Sequence, residues 1–447
     1  MPKLFGTDGI RSKVGKEPMT PDMCLKIAKS TGHILLKKNS INRVIISKDT
    51  RLSGYIFEPV ISSGFSSIGF EVLLVGPLPT PALAMLTGTL RASLGVMISA
   101  SHNTYEDNGL KIFDNNGYKI SKNLENKIES FVLNNENYEK INNENIITGK
   151  TKRLEDAAGR YTESIKKTFT KNKTLKGLRI VIDCANGANY KVAPETLWEL
   201  GCEIIVIENN PNGMNINKNC GSVNPQIMSK KVLEEGADIG ISFDGDGDRL
   251  IISDEKGNII DGDKIIALLA SEFLKKNKLR NNKVVTTLMS NMGFEEYIKS
   301  LGLELIRTDV GDRNVINKML EINSNIGGEQ SGHIILSDHS KTGDGLLSAV
   351  QVLDILTSNG KKASELFNLY DPIPQIQKNV VVKEKNKSYY DNKKLQNFIN
   401  NYNKNYKDIR LLIRPSGTEP IIRILIEGKN ISQLKSIAKE AEKLVIA

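Results

Sequence analysis

The sequence predicts an α/β protein built from three similar mixed α/β domains and a smaller C-terminal α+β domain. Short apolar runs alternate with segments of helical periodicity, which indicates strand–helix–strand units in a mixed or parallel sheet. This alternation occurs three times along the chain before the pattern changes. The 447 residues also exceed one ordinary hydrophobic core, so we expect several domains.

The first α/β domain is predicted for residues 1–150. Its strands are predicted from the apolar runs RVIISKD, EVLLVG and LGVMISAS at 43–49, 71–76 and 94–101, and its helices lie near 21–38 and 56–68. The asparagine-rich run at 134–150 has few apolar side chains to bury, so it predicts the end of this domain.

The next two domains are predicted for residues 151–252 and 253–365. In the second domain, strands are predicted at 178–187, 202–208 and 237–243, and helices near 191–200 and 224–236. In the third domain, strands are predicted at 283–290 and 303–308, and helices near 263–276, 294–302 and 343–358. Both domains repeat the alternation of the first.

The last domain is predicted for residues 366–447. Pro372 and Pro374 indicate a linker over 360–375. Three apolar runs then predict strands near residue 379, at 409–415 and at 421–428, and a closing helix is predicted from about residue 431. Because these strands follow one another with less helix between them, the domain is predicted to be α+β.

The composition excludes several classes of protein. The formal net charge is +9, but the lysines are mixed with asparagine and not interleaved with aromatic residues, so we expect no nucleic-acid partner. The alternative is that this charge attracts an anionic small molecule. No apolar run approaches the roughly 18 residues of a membrane helix, and the first residues lack the apolar core of a signal peptide. We therefore expect a cytoplasmic protein without a membrane partner.

The loop FDGDGDRL places three aspartates at alternate positions with glycines between them. Asp244, Asp246 and Asp248 supply hard oxygen donors that suit Mg²⁺ or Ca²⁺ better than zinc. An EF-hand is excluded, because Arg249 stands where its sharp turn needs glycine and the flanking runs predict strands. An acidic turn without a metal is the remaining alternative.

A second loop, SASHN, follows an apolar strand. Ser101 is a candidate nucleophile or phosphate carrier, with His102 and Asn103 beside it and Lys111 on the next strand. The alternative is that Ser101 only caps a turn. The chain contains neither a G-x-S-x-G elbow nor a phosphate-binding P-loop, so a serine hydrolase and P-loop chemistry are poorly supported.

The loop GGEQSGH brings together Glu329, Ser331 and His333 in a glycine-flanked turn. His333 is one of only four histidines in the chain. Glycine-rich turns are common and an isolated histidine is often structural. This loop therefore indicates a functional site only together with the other loops.

The loop RPSGTEPIIRI combines two arginines with hydroxyl groups and a flexible backbone. Such a set forms a natural cradle for a phosphate, and it comprises Arg414, Ser416, Gly417, Thr418 and Arg423. The alternative is an ordinary turn between strands. Taken together, the four loops fit phosphoryl transfer to or from a phosphorylated small molecule.

The sequence resembles the α-D-phosphohexomutase family over essentially its whole length. The four loops SASHN, DGDGDR, GEQSGH and RPSGTEP follow in the family's order, and supporting matches are FGTDGIR, KDTRLSG, PLPTPA, TLMSNMG and VGDR. The resemblance implies a four-domain, heart-shaped protein with a central cleft. It also implies one Mg²⁺ per chain and a catalytic phosphate on Ser101.

The resemblance further implies a role for each matching residue. The metal would be bound by Asp244, Asp246, Asp248 and the Ser101 phosphate. The catalytic set would be Ser101, His102, Arg11, Lys111, Arg249 and His333, with Lys111 and His333 as candidates for proton transfer. The substrate would be bound by Glu329, Ser331, Asp309, Arg414, Ser416, Gly417, Thr418 and Arg423.

The reaction that the resemblance implies is the conversion of a hexosamine 6-phosphate into its 1-phosphate through a bisphosphorylated sugar. Glucose or mannose phosphates are the alternative substrates, and a non-catalytic protein that binds sugar phosphates is a further alternative. Both a monomer and a homodimer remain open.

Two residues depart from the family's pattern. Thr104 stands where the family usually has proline, and Asp309 stands where related mutases often have lysine. An acidic side chain at this position would favour a protonated 2-amino group over a hydroxyl. The alternative is that Asp309 is a solvated loop residue.

Overall fold

The structure is a computed structural model, and it describes residues 4–6, 8–37, 41–142, 148–383, 389–406, 408–416 and 420–446. In this part of the chain the strands form four separate sheets. Three belong to mixed α/β units and the last belongs to a smaller unit, so the predicted fold class is confirmed. Among the same residues, no helix is both long enough and apolar enough to cross a membrane.

The first domain contains a sheet of mixed strand direction. Its elements are β1 (Ile10–Lys13), α1 (Pro21–Leu35), β2 (Arg43–Lys48), α2 (Gly54–Ser66), β3 (Glu71–Pro77), α3 (Thr80–Thr89), β4 (Leu94–Ile98), β5 (Asp107–Asp114), α4 (Lys122–Leu133), α5 (Asn135–Asn142) and β6 (Thr151–Arg153). The strand order is β1-β5-β4-β2-β3-β6, in which β5 is antiparallel to both β1 and β4. Helix α1 begins where the Thr20 hydroxyl accepts a hydrogen bond from the Met23 N–H and proline follows as the first helical residue.

Two features near the end of this domain go beyond the sequence prediction. Helix α5 lies within the polar run at 134–150, of which residues 143–147 lie outside the described part, and Ile141 of this helix is buried. Strand β6 follows residue 150, the predicted limit of the domain, and pairs in parallel with β3. The first sheet therefore extends to Arg153.

The second domain carries the aspartate-rich loop between two antiparallel strands. Its elements are α6 (Ala157–Lys166), β7 (Arg179–Asp183), α7 (Val192–Glu199), β8 (Glu203–Ile207), α8 (Gln226–Glu235), β9 (Ile239–Phe243), β10 (Leu250–Asp254) and β11 (Ile259–Ile260). The strand order is β11-β10-β9-β7-β8. The pairing of β9 with β10 brings both ends of the intervening loop together.

The third domain has the strand order β13-β12-β14-β15. Its elements are α9 (Gly262–Lys275), β12 (Lys283–Thr287), α10 (Met292–Ser300), β13 (Glu304–Thr308), α11 (Asp312–Glu321), β14 (Ile326–Gly328), β15 (Ile334–Leu336), α12 (Gly345–Asn359) and α13 (Ala363–Leu366). Helix α13 lies in the segment predicted as a linker. Ala363 and Leu366 are buried in the large core, so this segment is packed rather than extended.

The fourth domain is a small antiparallel sheet covered by helices. Its elements are β16 (Gln375–Val381), α14 (Lys393–Asn405), β17 (Arg410–Pro415), β18 (Ile421–Glu427) and α15 (Ile431–Ile446). The strand order is β16-β18-β17. Its apolar residues form a cluster of their own, which includes Ile413, Ile424 and Leu434.

One hydrophobic cluster runs through the first three domains. Met97, Phe243 and Ile266 come from the first, second and third domains, and all three are fully buried in it. Met97 stands just before the SASHN loop, and Phe243 directly precedes the aspartate-rich loop. The shared core therefore fixes the strands from which both loops emerge.

Candidate active site

Ser101 lies in the turn that follows strand β4. Its φ of +51° is uncommon for any residue other than glycine, and its side chain is buried. The Oγ–H donates to Asp244 Oδ2 at 2.7 Å, and His102 Nδ1 lies 3.5 Å from the same oxygen. The hydroxyl therefore bonds a carboxylate of the second domain instead of a backbone group of its own turn.

Asp244, Asp246 and Asp248 lie in the turn between β9 and β10, and all three are buried. Gly247 has a φ of +72°, a conformation that lets the turn bring alternate carboxylates together. Burial and the charges of Asp248 and Asp246 raise the pKa of Asp244 well above its usual range. Burial also opposes ionisation of Asp248, but Lys111 and His333 outweigh it and hold the pKa of Asp248 well below its usual range.

The three carboxylates are compatible with a divalent cation. Each offers an oxygen within 4.8 Å of the others. In the described part of the chain, Oδ1 of Asp246 and Oδ1 of Asp248 are buried without a hydrogen-bond partner. Buried carboxylate oxygens without donors are costly unless a cation binds them, and hard oxygen ligands suit Mg²⁺ or Ca²⁺.

Lys111 enters the same cluster from strand β5. Its Nζ lies 2.7 Å from Asp246 Oδ2, 3.1 Å from Asp248 Oδ2 and 3.4 Å from Asp8 Oδ2, and its side chain is 1 % exposed. Burial disfavours the ammonium ion, but these carboxylates outweigh burial and raise the pKa of Lys111 well above its usual range. Lys111 is therefore a buried, charged lysine.

Two arginines and a histidine surround this cluster. Arg11 Nη1–H donates to Asn103 Oδ1 at 3.4 Å, and its Nη2–H donates to Asp8 Oδ2 at 3.2 Å. The backbone N–H of Arg249 donates to Asp244 Oδ1 at 3.1 Å. Burial, Arg249 and Arg11 together lower the pKa of His102 to about 3, so this ring is neutral.

His333 reaches the aspartate-rich loop from the third domain. Its backbone pairs with that of Arg249, and its Nδ1 lies 3.6 Å from Asp248 Oδ1. Burial opposes a charge on the ring, but Asp248, Asp312 and Glu329 outweigh it and raise the pKa of His333 to about 9. The Gly343 N–H lies 3.2 Å from Nε2 and can donate to it only when the ring is neutral, with its single proton on Nδ1 facing Asp248.

Glu329 and Ser331 lie beside a cleft of about 480 Å³. The cleft is lined by side chains of the second, third and fourth domains, including Arg249, Thr287, Glu329, Ser331 and Gln377. Glu329 Oε1 accepts a hydrogen bond from the Gly311 N–H at 3.1 Å. Ser331 Oγ is buried without a hydrogen-bond partner among the described residues, so its capacity for hydrogen bonding is unused in this conformation.

Arg414 and Arg423 stand directly opposite each other on β17 and β18. Burial and the charge of Arg423 lower the pKa of Arg414, whereas the charge of Asp309 raises it. This pair of arginines lines a depression with Met289 and Gln377, which also line the cleft. Two guanidinium groups held together in this way attract an anion.

The remaining predicted substrate residues are distributed as follows. Ser416 is buried at the end of β17, and its backbone N–H donates to the Ile421 carbonyl at 2.9 Å. Asp309 is exposed in the turn after β13. Gly417 and Thr418 lie outside the described residues.

The predicted serine loop contacts the aspartate-rich loop, which in turn contacts the GGEQSGH loop. The arginine pair lines a neighbouring depression that shares Met289 and Gln377 with the cleft. Sequence reasoning assigned no chemistry to three residues of this network. Asp8 bonds Arg11 and Lys111, Thr80 Oγ–H donates to Asp246 Oδ2, and Asp312 Oδ2 lies 3.8 Å from His333 Nε2. All three lie in motifs that matched the family, namely FGTDGIR, PLPTPA and VGDR, and those matches were the available signal.

Four models of one protein family match the chain. They are described as phosphoglucomutase/phosphomannomutase alpha/beta/alpha domain I at residues 2–139, domain II at 159–257, domain III at 261–373 and the C-terminal domain at 378–444. The chain belongs to the phosphoglucomutase/phosphomannomutase family. The resemblance predicted from the four loops is thereby confirmed, and a member of this family is an isomerase of the mutase type.

Curated relatives match this family member over nearly its whole length. The chain is 49 % identical over 439 residues to phosphoglucosamine mutase of Parvibaculum lavamentivorans, which covers 98 % of this chain and 97 % of that protein. It is 48 % identical over 443 residues to phosphoglucosamine mutase of Granulibacter bethesdensis, with 98 % of this chain and 95 % of that protein covered.

Two solved structures share the fold of this chain. A phosphoglucomutase/phosphomannomutase family protein from Burkholderia thailandensis has a TM-score of 0.82 and 22 % identity, with 99 % of this chain and 97 % of that chain covered. N-acetylphosphoglucosamine mutase of Aspergillus fumigatus, solved with GlcNAc-6P and magnesium, has a TM-score of 0.66 and 18 % identity, with 99 % and 95 % covered.

Proposed function

We propose that this chain is a phosphoglucosamine mutase, which interconverts glucosamine 6-phosphate and glucosamine 1-phosphate by way of a phosphate carried on Ser101. The observation that carries the proposal is the 2.7 Å bond from Ser101 Oγ–H to Asp244, beside two further buried carboxylates and Lys111. The substrate is taken from the curated relatives, which are named phosphoglucosamine mutase at 49 % and 48 % identity.

The proposed reaction consists of two phosphoryl transfers. In the first, the bond between Ser101 Oγ and phosphorus breaks as the bond between phosphorus and O1 of glucosamine 6-phosphate forms. The resulting glucosamine 1,6-bisphosphate then reorients within the cleft, so that its 6-phosphate faces Ser101. In the second, the bond from O6 to phosphorus breaks, a bond to Ser101 Oγ forms again, and glucosamine 1-phosphate leaves.

We propose Mg²⁺ as the cation of the three-aspartate loop. Asp244, Asp246, Asp248 and an oxygen of the Ser101 phosphate would hold it. When bound, Mg²⁺ supplies positive charge that offsets the negative charge of the transferring phosphoryl group. Arg11, Arg249 and Lys111 would add fixed positive charge around the same position, and burial makes the charges of Arg249 and Lys111 more effective.

Lys111 and His333 are the proposed proton carriers. In the absence of a cation, nearby carboxylates raise the pKa of both groups and so favour their protonated forms. Such a group is suited to donate a proton to the oxygen that leaves phosphorus and to take one back when the reaction runs in the opposite direction. In the first transfer O1–H of the sugar loses a proton and Ser101 Oγ gains one, and in the second Ser101 Oγ–H loses that proton and O6 gains one, so the complete cycle neither takes up nor releases a proton.

The cleft supplies the proposed contacts with the sugar and with the phosphate that is not transferred. Glu329 and Ser331 would bind sugar hydroxyl or amino groups, and Arg414, Ser416 and Arg423 would bind the distant phosphate. Gly417 and Thr418 would complete that phosphate site. A cytoplasmic location remains a prediction, as does a state that is either monomeric or homodimeric.

The test is turnover of the Mg²⁺-supplemented protein with glucosamine 6-phosphate, glucose 6-phosphate and mannose 6-phosphate, compared by kcat/KM. We expect a clear preference for the amino sugar, and Ser101→Ala should abolish turnover of all three. Ser271→Ala, a buried serine on α9 outside the site, is the matched control. Better turnover of glucose or mannose phosphate would reassign the substrate, and full activity of Ser101→Ala would reject the proposed chemistry.

A further inference from the structure

Two side chains from different domains bond the same pair of backbone carbonyls in the serine loop. Arg51 Nη2–H groups donate to the carbonyls of Ser101 and Asn103 at 2.9 and 2.8 Å. Asn217 Nδ2–H groups donate to the same two carbonyls at 2.8 Å each. Each carbonyl therefore receives two donors, which uses both of its lone pairs.

Arg51 is itself held in place within the first domain. Its side chain is fully buried, and its Nε–H donates to Asp49 Oδ2 at 2.8 Å. Its Nη1–H groups donate to the carbonyls of Thr104 and Asp107. The guanidinium group thus bonds four backbone carbonyls between Ser101 and the first residue of β5, which only its planar fork of donors allows.

Asn217 comes from the second domain, where it lies on the segment between β8 and α8. Its own backbone N–H donates to the Ala185 carbonyl at 2.9 Å, and its side chain is buried. A Cβ atom at Gly245 would lie 2.6 Å from Asn217 Nδ2 and 2.7 Å from the Ser101 carbonyl oxygen. The aspartate-rich loop therefore packs directly against this contact and has room for glycine only.

These bonds determine how the serine loop presents its groups. Ser101 has a left-handed backbone, which a residue other than glycine keeps only where its surroundings hold it. The carbonyls of Ser101 and Asn103 each accept hydrogen bonds from both Arg51 and Asn217, so these two side chains hold the backbone of the loop in this conformation.

We propose that Asn217, acting with Arg51, is a positioning residue that fixes the Ser101 loop against the aspartate-rich loop for phosphoryl transfer. This inference rests on the proposed function. Asn217 touches neither the reacting oxygen nor the carboxylates. It acts through the backbone of the loop, so its loss should lower kcat and leave substrate binding nearly unchanged.

The test compares Asn217→Ala with Asn219→Ala. Asn219 lies on the same segment with a nearly equal φ, +57° against +56°, but its side chain is exposed. We expect Asn217→Ala to lower kcat for glucosamine 6-phosphate at least about 10-fold with KM within about threefold, and Asn219→Ala to behave as wild type. Hydrogen–deuterium exchange of the peptide spanning residues 99–105 should rise in Asn217→Ala alone.

Wild-type kcat and exchange in Asn217→Ala would overturn the inference, and so would an equal loss in both variants. If Asn217→Ala does not fold, Asn217→Ser keeps one donor group, and a partial loss of kcat supports the inference while wild-type kcat rejects it. An inactive wild-type chain would instead reject the proposed function, and the exchange measurement would still decide whether Asn217 orders the loop.

Discussion

Lys111 Nζ lies 2.7 Å from Asp246 Oδ2, although the two residues are 135 positions apart and belong to different domains. Asp248 and Asp8 complete the set of carboxylates around this ammonium group. A buried charge is stable only when it is balanced, so the lysine and the aspartates depend on one another. Ion pairs between Lys111 and the aspartates therefore connect the first domain to the second.

Replacement of Lys111 by methionine is expected to lower kcat/KM at least about 100-fold, because a buried positive charge beside the transferring group is lost. Binding of Mg²⁺ is expected to become tighter, since the carboxylates lose their other cation. Steady-state kinetics and calorimetric titration with Mg²⁺ measure the two effects. Lys152→Met is the control, because Lys152 lies on β6 and is half exposed. Wild-type turnover of Lys111→Met would contradict the prediction.

Removal of divalent cations with EDTA is expected to abolish turnover and to lower the melting temperature. Three buried carboxylates within 4.8 Å then repel one another. Mg²⁺ at 100 times its dissociation constant should restore both properties, with about 2.7 kcal/mol of added stability. Thermal unfolding with and without Mg²⁺ measures this, and Asp246→Asn should lose most of the response while the exposed Asp156→Asn keeps it. A melting temperature and turnover that EDTA leaves unchanged would argue against a metal site.

Asp183 is expected to make folding stability depend on pH. Burial raises its pKa to about 6, although backbone N–H groups of Ala185 and Gly221 oppose the rise. Because the folded state then holds the proton more tightly than the unfolded state, this contribution is complete at low pH and is lost as the pH rises toward 6. Relative to Asp183→Asn, the wild type should lose about 2 kcal/mol between pH 4.5 and 7.5.

Thermal unfolding of the two proteins at several pH values measures this difference. Asp156→Asn serves again as the exposed comparison and should follow the wild type. A constant difference between wild type and Asp183→Asn across this range would show that Asp183 titrates normally in the folded protein.

Replacement of Asp309 by lysine is expected to raise KM for glucosamine 6-phosphate about fivefold more than KM for glucose 6-phosphate. The proposed reason is loss of a carboxylate near a protonated amino group, an exposed pair that stabilises by about 1 kcal/mol. The new charge beside Arg414 would affect the phosphate of both sugars alike, so the ratio of the two KM values is the informative quantity. Asp371→Lys is the control. Equal changes in KM for the two sugars would show that Asp309 is a solvated loop residue that does not select the substrate.

Much of the fold followed from local patterns. The alternation of apolar runs predicted the strands that end at Ile98 and Phe243, because a buried strand needs a continuous apolar run. The segment around α13 was predicted incorrectly as a linker. The two prolines indicated an extended segment, but Ala363 and Leu366 are buried in the large hydrophobic core. Such packing depends on the neighbours that the fold supplies.

The residues of the candidate site likewise include some that the sequence predicted and some that only the structure revealed. Ser101 and the three aspartates were found because their residue types and spacing carry chemistry by themselves. Asn217 and Thr80 carry no such signal, since an asparagine in a loop and a threonine at the start of a helix are both ordinary. Their importance arises only when folding brings them to residues more than 100 positions away, as the bonds from Asn217 to Ser101 and from Thr80 to Asp246 show.

The hydrogen bond from Ser101 to Asp244 spans 143 positions of sequence. A ribosome that adds about 5–20 residues per second completes Asp244 about 7 to 29 s after Ser101. During that interval the newly made first domain carries its serine turn before the aspartate that receives the hydroxyl exists. The arrangement proposed to carry phosphate on Ser101 can therefore form only after the second domain has been synthesised.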